Sequence, residues 1–325
     1  MQSWQLPEHI ADILPSTARQ LESAKERLLA LFRVHGYELV QPPMMEYSNS
    51  LLTHIDAGLA LKTIRVVDQL SGRQLGIRAD ITPQVARIDA HLLSANNGIN
   101  RLCYAGSVLH ARPDGFLNTR EPLQVGAELY GLAGVEADIE LIDLMLKSLK
   151  IGEVGELLLS LGHIGVFRAL AAAAELDDQQ SAQLLALMQD KDAAAVYAQV
   201  AAWQLDGMWA KAFALLPTLY GGREVLEEAR GGRYDGLGGY FGRARPATGF
   251  SFDLRTFTGR LPKIRRLPAI AVAQQDVAQA AEIIAQLRAE GQCVVIDYGI
   301  ESNASRDVTS RLVAQDGKWV IVEQA

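Results

Sequence analysis

The sequence predicts an α+β chain: an antiparallel sheet flanked by helices, interrupted by a helical insert and followed by a small C-terminal α/β domain. Three observations carry this prediction. Leu102–Val108 and Leu123–Tyr130 alternate apolar and polar residues as paired strands do. From Val166 to Leu216 the composition turns abruptly to Ala, Leu and Gln, all good helix formers. From Ala269 onward, AIAV, a helical stretch Val277–Ala289 and CVVIDYG form a strand, helix, strand unit. The predicted division is a core in two parts, 1–165 and 217–260, around an insert at 166–216, with the α/β domain at 269–325.

The elements follow in chain order. After Pro15, Thr17–Val34 places Leu21, Ala24, Leu28, Leu31 and Phe32 on one stripe and Arg19, Lys25, Glu26 and Arg33 opposite, which predicts a one-sided helix. His35-Gly36 closes it, and Tyr37–Gln41 alternates into a strand ended by Pro42-Pro43. Leu75–Arg78 reads as a short strand. Thr82-Pro83 then reads as an N-cap and first turn, opening a helix with Val85, Ile88 and Leu92 on its inner side. The loop between the paired strands, HARPDGFLNTREP, concentrates arginine. In the second strand Gln124, Gly126, Glu128 and Tyr130 share one face, a polar floor with a gap. Glu136–Lys150 reads as a helix and Glu156–Leu161 as a strand. Beyond the insert come the glycine-rich turn GGRYDGLGG, a strand at Ala247–Leu254 and the basic segment GRLPKIRRLP.

Bulk properties exclude several functions. A net charge of −7 and a pI near 5.5 give no global field for a polyanion. Hydrophobic residues at 49% and charged ones at 21% describe a folding chain rather than a disordered one. Cys103 and Cys293 lie far apart in apolar runs, so they read as reduced core thiols of a cytoplasmic protein. The N-terminus lacks the apolar run of a signal peptide, and no stretch approaches the ~18 apolar residues of a membrane span. The six histidines have no ligand spacing, so neither a metal nor a cofactor is expected.

The motifs fall in a specific order: Leu14-Pro15, HGYELVQPPMMEY, RADITPQVARI, HARPDG, LQVGAELYG, GGRYDGL and RPATGFSFDL. In that order they resemble the class II aminoacyl-tRNA synthetase core, specifically histidyl-tRNA synthetase, over residues 1–256. The resemblance implies that the synthetases' phosphate-gripping arginine is replaced by Leu109 and the following glutamate by Ala111. The motif-three arginine position falls at Arg255 or Thr256, with Thr256 the favoured register. Asp253 would stand beneath the nucleotide and repel it. The family's histidine-specific segment should precede GGRYDGL, where only LPTLYGGREVLEEAR is found.

The same resemblance implies, by contrast, that the amino-acid pocket is largely retained. The resemblance assigns Asp80 and Thr82 to the substrate amino group, Gln124 and Glu128 to the other half, and leaves Arg112 and Arg120 for a carboxylate or phosphate. Arg120, Arg233 and Tyr234 would stand at the pocket rim. Residues 269–325 carry more Asp and Glu than Lys and Arg, which argues against a tRNA anchor. Together these features resemble the family of synthetase paralogues that regulate ATP phosphoribosyltransferase in histidine biosynthesis. That resemblance implies a non-catalytic chain with free histidine as ligand. It also implies self-association as a dimer, and a hetero-octamer with a short-form catalytic subunit. The alternative is an active histidyl-tRNA synthetase-like ligase. Plainer readings stand beside these: Asp80 and Thr82 as helix caps, Gln124 and Glu128 on a solvated sheet face, and Arg233 with Asp235 as a local ion pair.

Overall fold

A computed structural model of the chain describes residues 5–52, 57–113, 118–152, 157, 159, 161–162, 164–189, 192–216, 229–259, 268–299 and 308–323. It divides into two compact units, one formed by Met1–Val154 with Glu228–Ala325 and the other by Gly155–Glu227.

In the first unit, α1 (Pro15–Val34) begins with proline in its first turn and buries Leu21, Ala24, Leu28 and Phe32, the expected stripe. Gly36, at φ +82°, turns the chain out of the helix. Of the expected strand, Glu38–Leu39 form β1, which runs parallel to β5 (Asn100–Ser107), and Val40 N adds a bond to Cys103 O. Next come β2 (Met45–Tyr47), α2 (Ser48–Leu51), α3 (Ala57–Lys62), β3 (Ile64–Val67) and β4 (Gln74–Ile77). The three strands form an antiparallel sheet in the order β2-β4-β3.

Two expectations about the next helix are corrected. In α4 (Thr82–Arg87) the N-cap position is Ile81, and Thr82 is already the first helical residue. Asp80 takes over the capping, with Oδ1 accepting from Thr82 N at 3.0 Å, which frees the threonine hydroxyl for another partner. The helix then widens into a π-helical turn, Ile88–Leu92. The extra residue in that turn rotates the buried stripe onto Asp89 and Ala90 and leaves Leu92 72% exposed rather than inward.

Strand β5 pairs antiparallel with β6 (Leu123–Tyr130), followed by α5 (Val135–Ile151). Half of the expected strand at Glu156–Leu161 lies outside the described residues, and no strand is formed at the other positions. After the insert the first unit resumes with β7 (Arg230–Arg233), a 3-10 turn at Leu237–Phe241, β8 (Ala247–Asp253) and a short helix, Leu254–Thr258. The main sheet has the order β1-β5-β6-β8-β7.

Alternation gives this sheet two different faces. On one, Val125, Ala127, Leu129, Phe250 and Phe252 are buried. Phe250 meets Phe32 of α1 edge-on at 6.1 Å, and Phe252 meets Phe257 at 5.3 Å. Burying one such ring contributes about 1.5–3 kcal/mol. The other face carries Gln124, Gly126 and Glu128, with Tyr104 registered against Gly126 and Gly249 against Glu128. Ile81, Val85 and Ala86 from α4 and the residue before it cover part of this face, clustered with Leu102, Tyr104, Val108, Tyr130 and Ala247.

Among the described residues the second unit holds four helices, Ile164–Ala173, Asp178–Gln189, Ala193–Ala202 and Gly207–Leu215, around Phe167, Ala171, Leu184, Val196, Val200 and Phe213. Three of their starts are capped by aspartates. Asp177 and Gln180 form a reciprocal capping box, while Asp192 and Asp206 accept from Ala195 N and Met208 N.

The C-terminal part of the first unit holds β9 (Ala269–Ala273), a helix at Ala281–Ala289, β10 (Cys293–Asp297), β11 (Val308–Gln315) and β12 (Lys318–Glu323). Their order is β10-β9-β11-β12, parallel except for the last pair. The expected strand, helix, strand unit is present, its helix starting later than Val277. The β11–β12 hairpin goes beyond the sequence reading. Its signal is Asp316-Gly317, both at positive φ (49° and 76°), the two-residue turn that suits a twisted hairpin. No helix of the described residues is long and apolar enough to cross a membrane.

Candidate functional site

The helix start at Asp80–Thr82 is pinned to the polar face of the sheet by side chains from β6. Gln124 Oε1 accepts from Ile81 N at 2.9 Å, and its Nε2 donates to Asp80 Oδ1 at 2.8 Å and to Ser251 Oγ at 3.1 Å. The Thr82 hydroxyl donates to Glu128 Oε1 at 3.0 Å and lies 3.0 Å from the Tyr104 hydroxyl. Tyr104 in turn donates to Glu128 Oε1 at 3.1 Å. Asp80, Thr82, Gln124 and Glu128 therefore form one hydrogen-bonded cluster, with Tyr104 and Ser251 as further members.

Glycines make the cluster possible. A Cβ on Gly126 would stand 2.5 Å from the Tyr104 hydroxyl, so the gap expected in the polar floor is where that hydroxyl lies. A Cβ on Gly249 would collide with Glu128 Oε2 and the Tyr234 hydroxyl, which crowd the same point above β8. Among the described residues neither of these two oxygens has a hydrogen-bond partner, and neither does the Tyr130 hydroxyl. Glu128 is 1% exposed. Burial pushes its carboxyl well above the usual carboxylate range; the nearby Asp80 charge adds to this, and the bonds from Thr82 and Tyr104 oppose it. Burial also raises the Tyr104 and Tyr130 phenols, again with the Glu128 charge contributing. A half-satisfied buried carboxylate beside two hydroxyls can accept from an ammonium or a protonated or neutral imidazole N–H.

The other expected residues are placed differently. Arg233 is registered against Thr248, on the opposite face of the sheet from Glu128. Its guanidinium pairs with Asp138 at 2.9 Å and donates to Gly134 O at the start of α5, besides the anticipated Asp235 contact at 3.4 Å. Strand alternation turns it away from the cluster. Arg112 is exposed, and Arg120 donates to the His110 carbonyl at 2.9 Å; neither joins the cluster. Tyr234 does reach it.

Asp253 differs from expectation as well. It caps the Leu254–Thr258 helix: Oδ1 accepts from Leu123 N and Arg255 N, and Oδ2 from Thr256 N and Thr256 Oγ1. That role accounts for the carboxylate without a nucleotide. Arg255 pairs with Glu121 at 3.0 Å, and the Leu109 amide donates to Arg78 O. The interval expected to hold the histidine-specific segment lies almost wholly outside the described residues.

A histidyl-tRNA synthetase family model matches residues 9–231 and 229–257, two stretches that meet just at β7. A second model, the ATP phosphoribosyltransferase subunit HisZ C-terminal domain, matches 267–322. The ATP phosphoribosyltransferase regulatory subunit of Neisseria meningitidis serogroup C is 63% identical over 383 aligned residues, covering 100% of both chains. The chain belongs to the ATP phosphoribosyltransferase regulatory subunit family. The regulatory subunit of Chromobacterium violaceum is 47% identical over 98% of each chain. The alignment with the Neisseria relative runs over 383 positions, more than the 325 residues here. Among solved structures, a Bacillus halodurans ATP phosphoribosyltransferase regulatory subunit/histidyl-tRNA synthetase superposes with a TM-score of 0.82 at 20% identity, over 95% of this chain and 98% of that one. Apo histidyl-tRNA synthetase of S. aureus gives 0.67 at 17% identity, over 98% and 97%. The fold of this family member is thus that of a class II synthetase.

Proposed function

We propose that this family member is a non-catalytic regulatory subunit that binds free histidine on the polar face of its main sheet. Through that site it relays feedback inhibition to a short-form ATP phosphoribosyltransferase catalytic subunit, which it also activates within a hetero-octamer. The observation that carries the reading is the Glu128 cluster: a buried carboxylate with one oxygen unpartnered, held by Thr82 and Tyr104 beside the Tyr234 hydroxyl. A cationic, nitrogen-rich ligand satisfies such a group, and an apolar one does not.

Histidine would bridge Glu128 and the Asp80–Gln124 pair, tying α4 to β6. Ligand binding then biases whichever assembly state keeps those elements docked. By linkage, the free energy with which the inhibited state tightens histidine equals the free energy with which histidine favours that state. Leu109 in place of a guanidinium supports the absence of adenylation, since a phosphate clamp needs a bidentate cation. The meeting of the two family matches at residues 229–231 supports a histidine-specific segment lost just before GGRYDGL.

The test is catalysis by a short-form catalytic subunit, assayed with and without this chain over a range of histidine concentrations. Activation by the chain, lost as histidine rises, is the expected result. Activation insensitive to histidine would leave only a scaffold, and pyrophosphate release from ATP and histidine by this chain alone would make it a ligase.

A further inference from the structure

Arg78 lies at the end of β4, two residues before Asp80, and is 7% exposed. Its Nε donates to Ser107 O at 2.9 Å and its Nη1 to Pro42 O at 2.7 Å. Both partners are neutral carbonyls. Among the described residues no carboxylate pairs with this guanidinium, and Nη2 donates to none of them. A buried cation without a counter-charge is costly, and proteins place one where an anion completes it.

The position of Nη2 indicates where that anion would sit. A Cβ on Gly106 would come within 2.5 Å of Nη2 and 3.4 Å of Ile81 Cδ1. Gly106 is registered against Gln124, on the same face of the sheet as Tyr104, Gly126 and Glu128. The guanidinium edge therefore lies over the polar face at the Gln124 end, in space that the glycine leaves open. Glu128, with its unpartnered oxygen, marks the other end, about 13 Å along β6 at ~3.4 Å per residue. Asp80, bonded to Gln124, lies near the Arg78 end. The face is thus polarised: an acceptor at one end, a carboxylate near the other, and a spare guanidinium edge beyond it.

We infer that Arg78 holds the α-carboxylate of the amino-acid ligand, with the α-ammonium at Asp80 and the side-chain nitrogen directed to Glu128. This inference rests on the proposed histidine site and deepens it. It moves the anion contact from Arg112, which is exposed, to a residue whose geometry is fixed by two carbonyls. Arg78 is a specificity-determining residue in this account: it makes the site select an amino acid over the corresponding amine.

The experiment is calorimetric titration of the full chain with histidine and with histamine, which keeps both nitrogens but lacks the carboxylate. Wild type should bind histamine about 10- to 150-fold more weakly, the span of one charge-assisted contact. Arg78→Met should bring histidine down to the histamine level and leave histamine unchanged. Arg78→Lys, which keeps the charge but not the planar fork, should narrow the preference while the fold is retained. Gly106→Ala, which displaces Nη2, should narrow it too. Equal losses for both ligands in the folded Lys or Ala variant would overturn the inference and leave Arg78 a structural clamp. If wild type binds neither ligand, the histidine site itself has failed.

Discussion

Replacing Glu128 with Gln separates a ligand-binding role from a folding role, because the two make opposite predictions about stability. In the free chain the carboxyl is buried, and among the described residues only one of its oxygens is bonded, to Thr82 and Tyr104. Leaving a buried acceptor unpaired costs about 1–3 kcal/mol. A glutamine at this position can keep both Oε1 bonds and donate Nε2 toward the Tyr234 hydroxyl, which shares the space above Gly249. Free E128Q should therefore be as stable as wild type at neutral pH, or more so. Histidine should suffer the reverse, since a charge-assisted contact is worth about 1.5–3 kcal/mol, or roughly 10- to 150-fold in Kd. Thermal melts of the free chain and histidine titrations read the two effects separately. In the complex, feedback inhibition should weaken while activation persists. A destabilised E128Q that also loses activation would refute this reasoning and assign Glu128 to folding or assembly.

Three further outcomes follow. The raised pKa of Glu128 means that the folded chain holds its proton where the unfolded chain, near pKa ~4.3, has lost it. The associated stability is full below about pH 4.3 and declines as pH rises toward the folded value; denaturant titrations across pH should show this slope in wild type and lose it in E128Q. Asp89, 2% exposed, pairs with Arg245 at 3.2 Å and accepts from Asn100 at 2.6 Å, so Asp89→Ala should cost about 3–5 kcal/mol in chemical denaturation by stranding that guanidinium. Gly249→Ala should abolish histidine binding in a titration, because its methyl takes the space of Glu128 Oε2 and the Tyr234 hydroxyl.

Much of the fold was legible wherever periodicity was long. The α1 stripe, the β5–β6 pair, α5 and the parallel β9–β10 unit all follow from runs of apolar residues at period 3.6 or 2. The inward position of Leu92 failed because a π-helical turn adds a residue that no apolar pattern announces. The cluster of Asp80, Thr82, Gln124, Glu128 and Tyr234 could be anticipated from the family motifs, but its closing member Tyr104 could not: its role depends on a cross-strand register with Gly126. Arg233 faces away from the cluster because one step along β7 reverses the face a side chain occupies, and the local ion pair with Asp235 is the alternative that is present. Asp253 looked like a repulsive charge and is a helix cap, a role visible only once the helix start at Leu254 is known. Arg78 looked like a strand end, and its importance lies in what its guanidinium does not meet.

The most direct test of the central claim is titration of the purified chain with histidine and then with ATP, alone and after mixing with a short-form ATP phosphoribosyltransferase. Saturable histidine binding without ATP binding or pyrophosphate release is the predicted result, whereas ATP binding with adenylate formation would contradict the regulatory reading and favour a ligase.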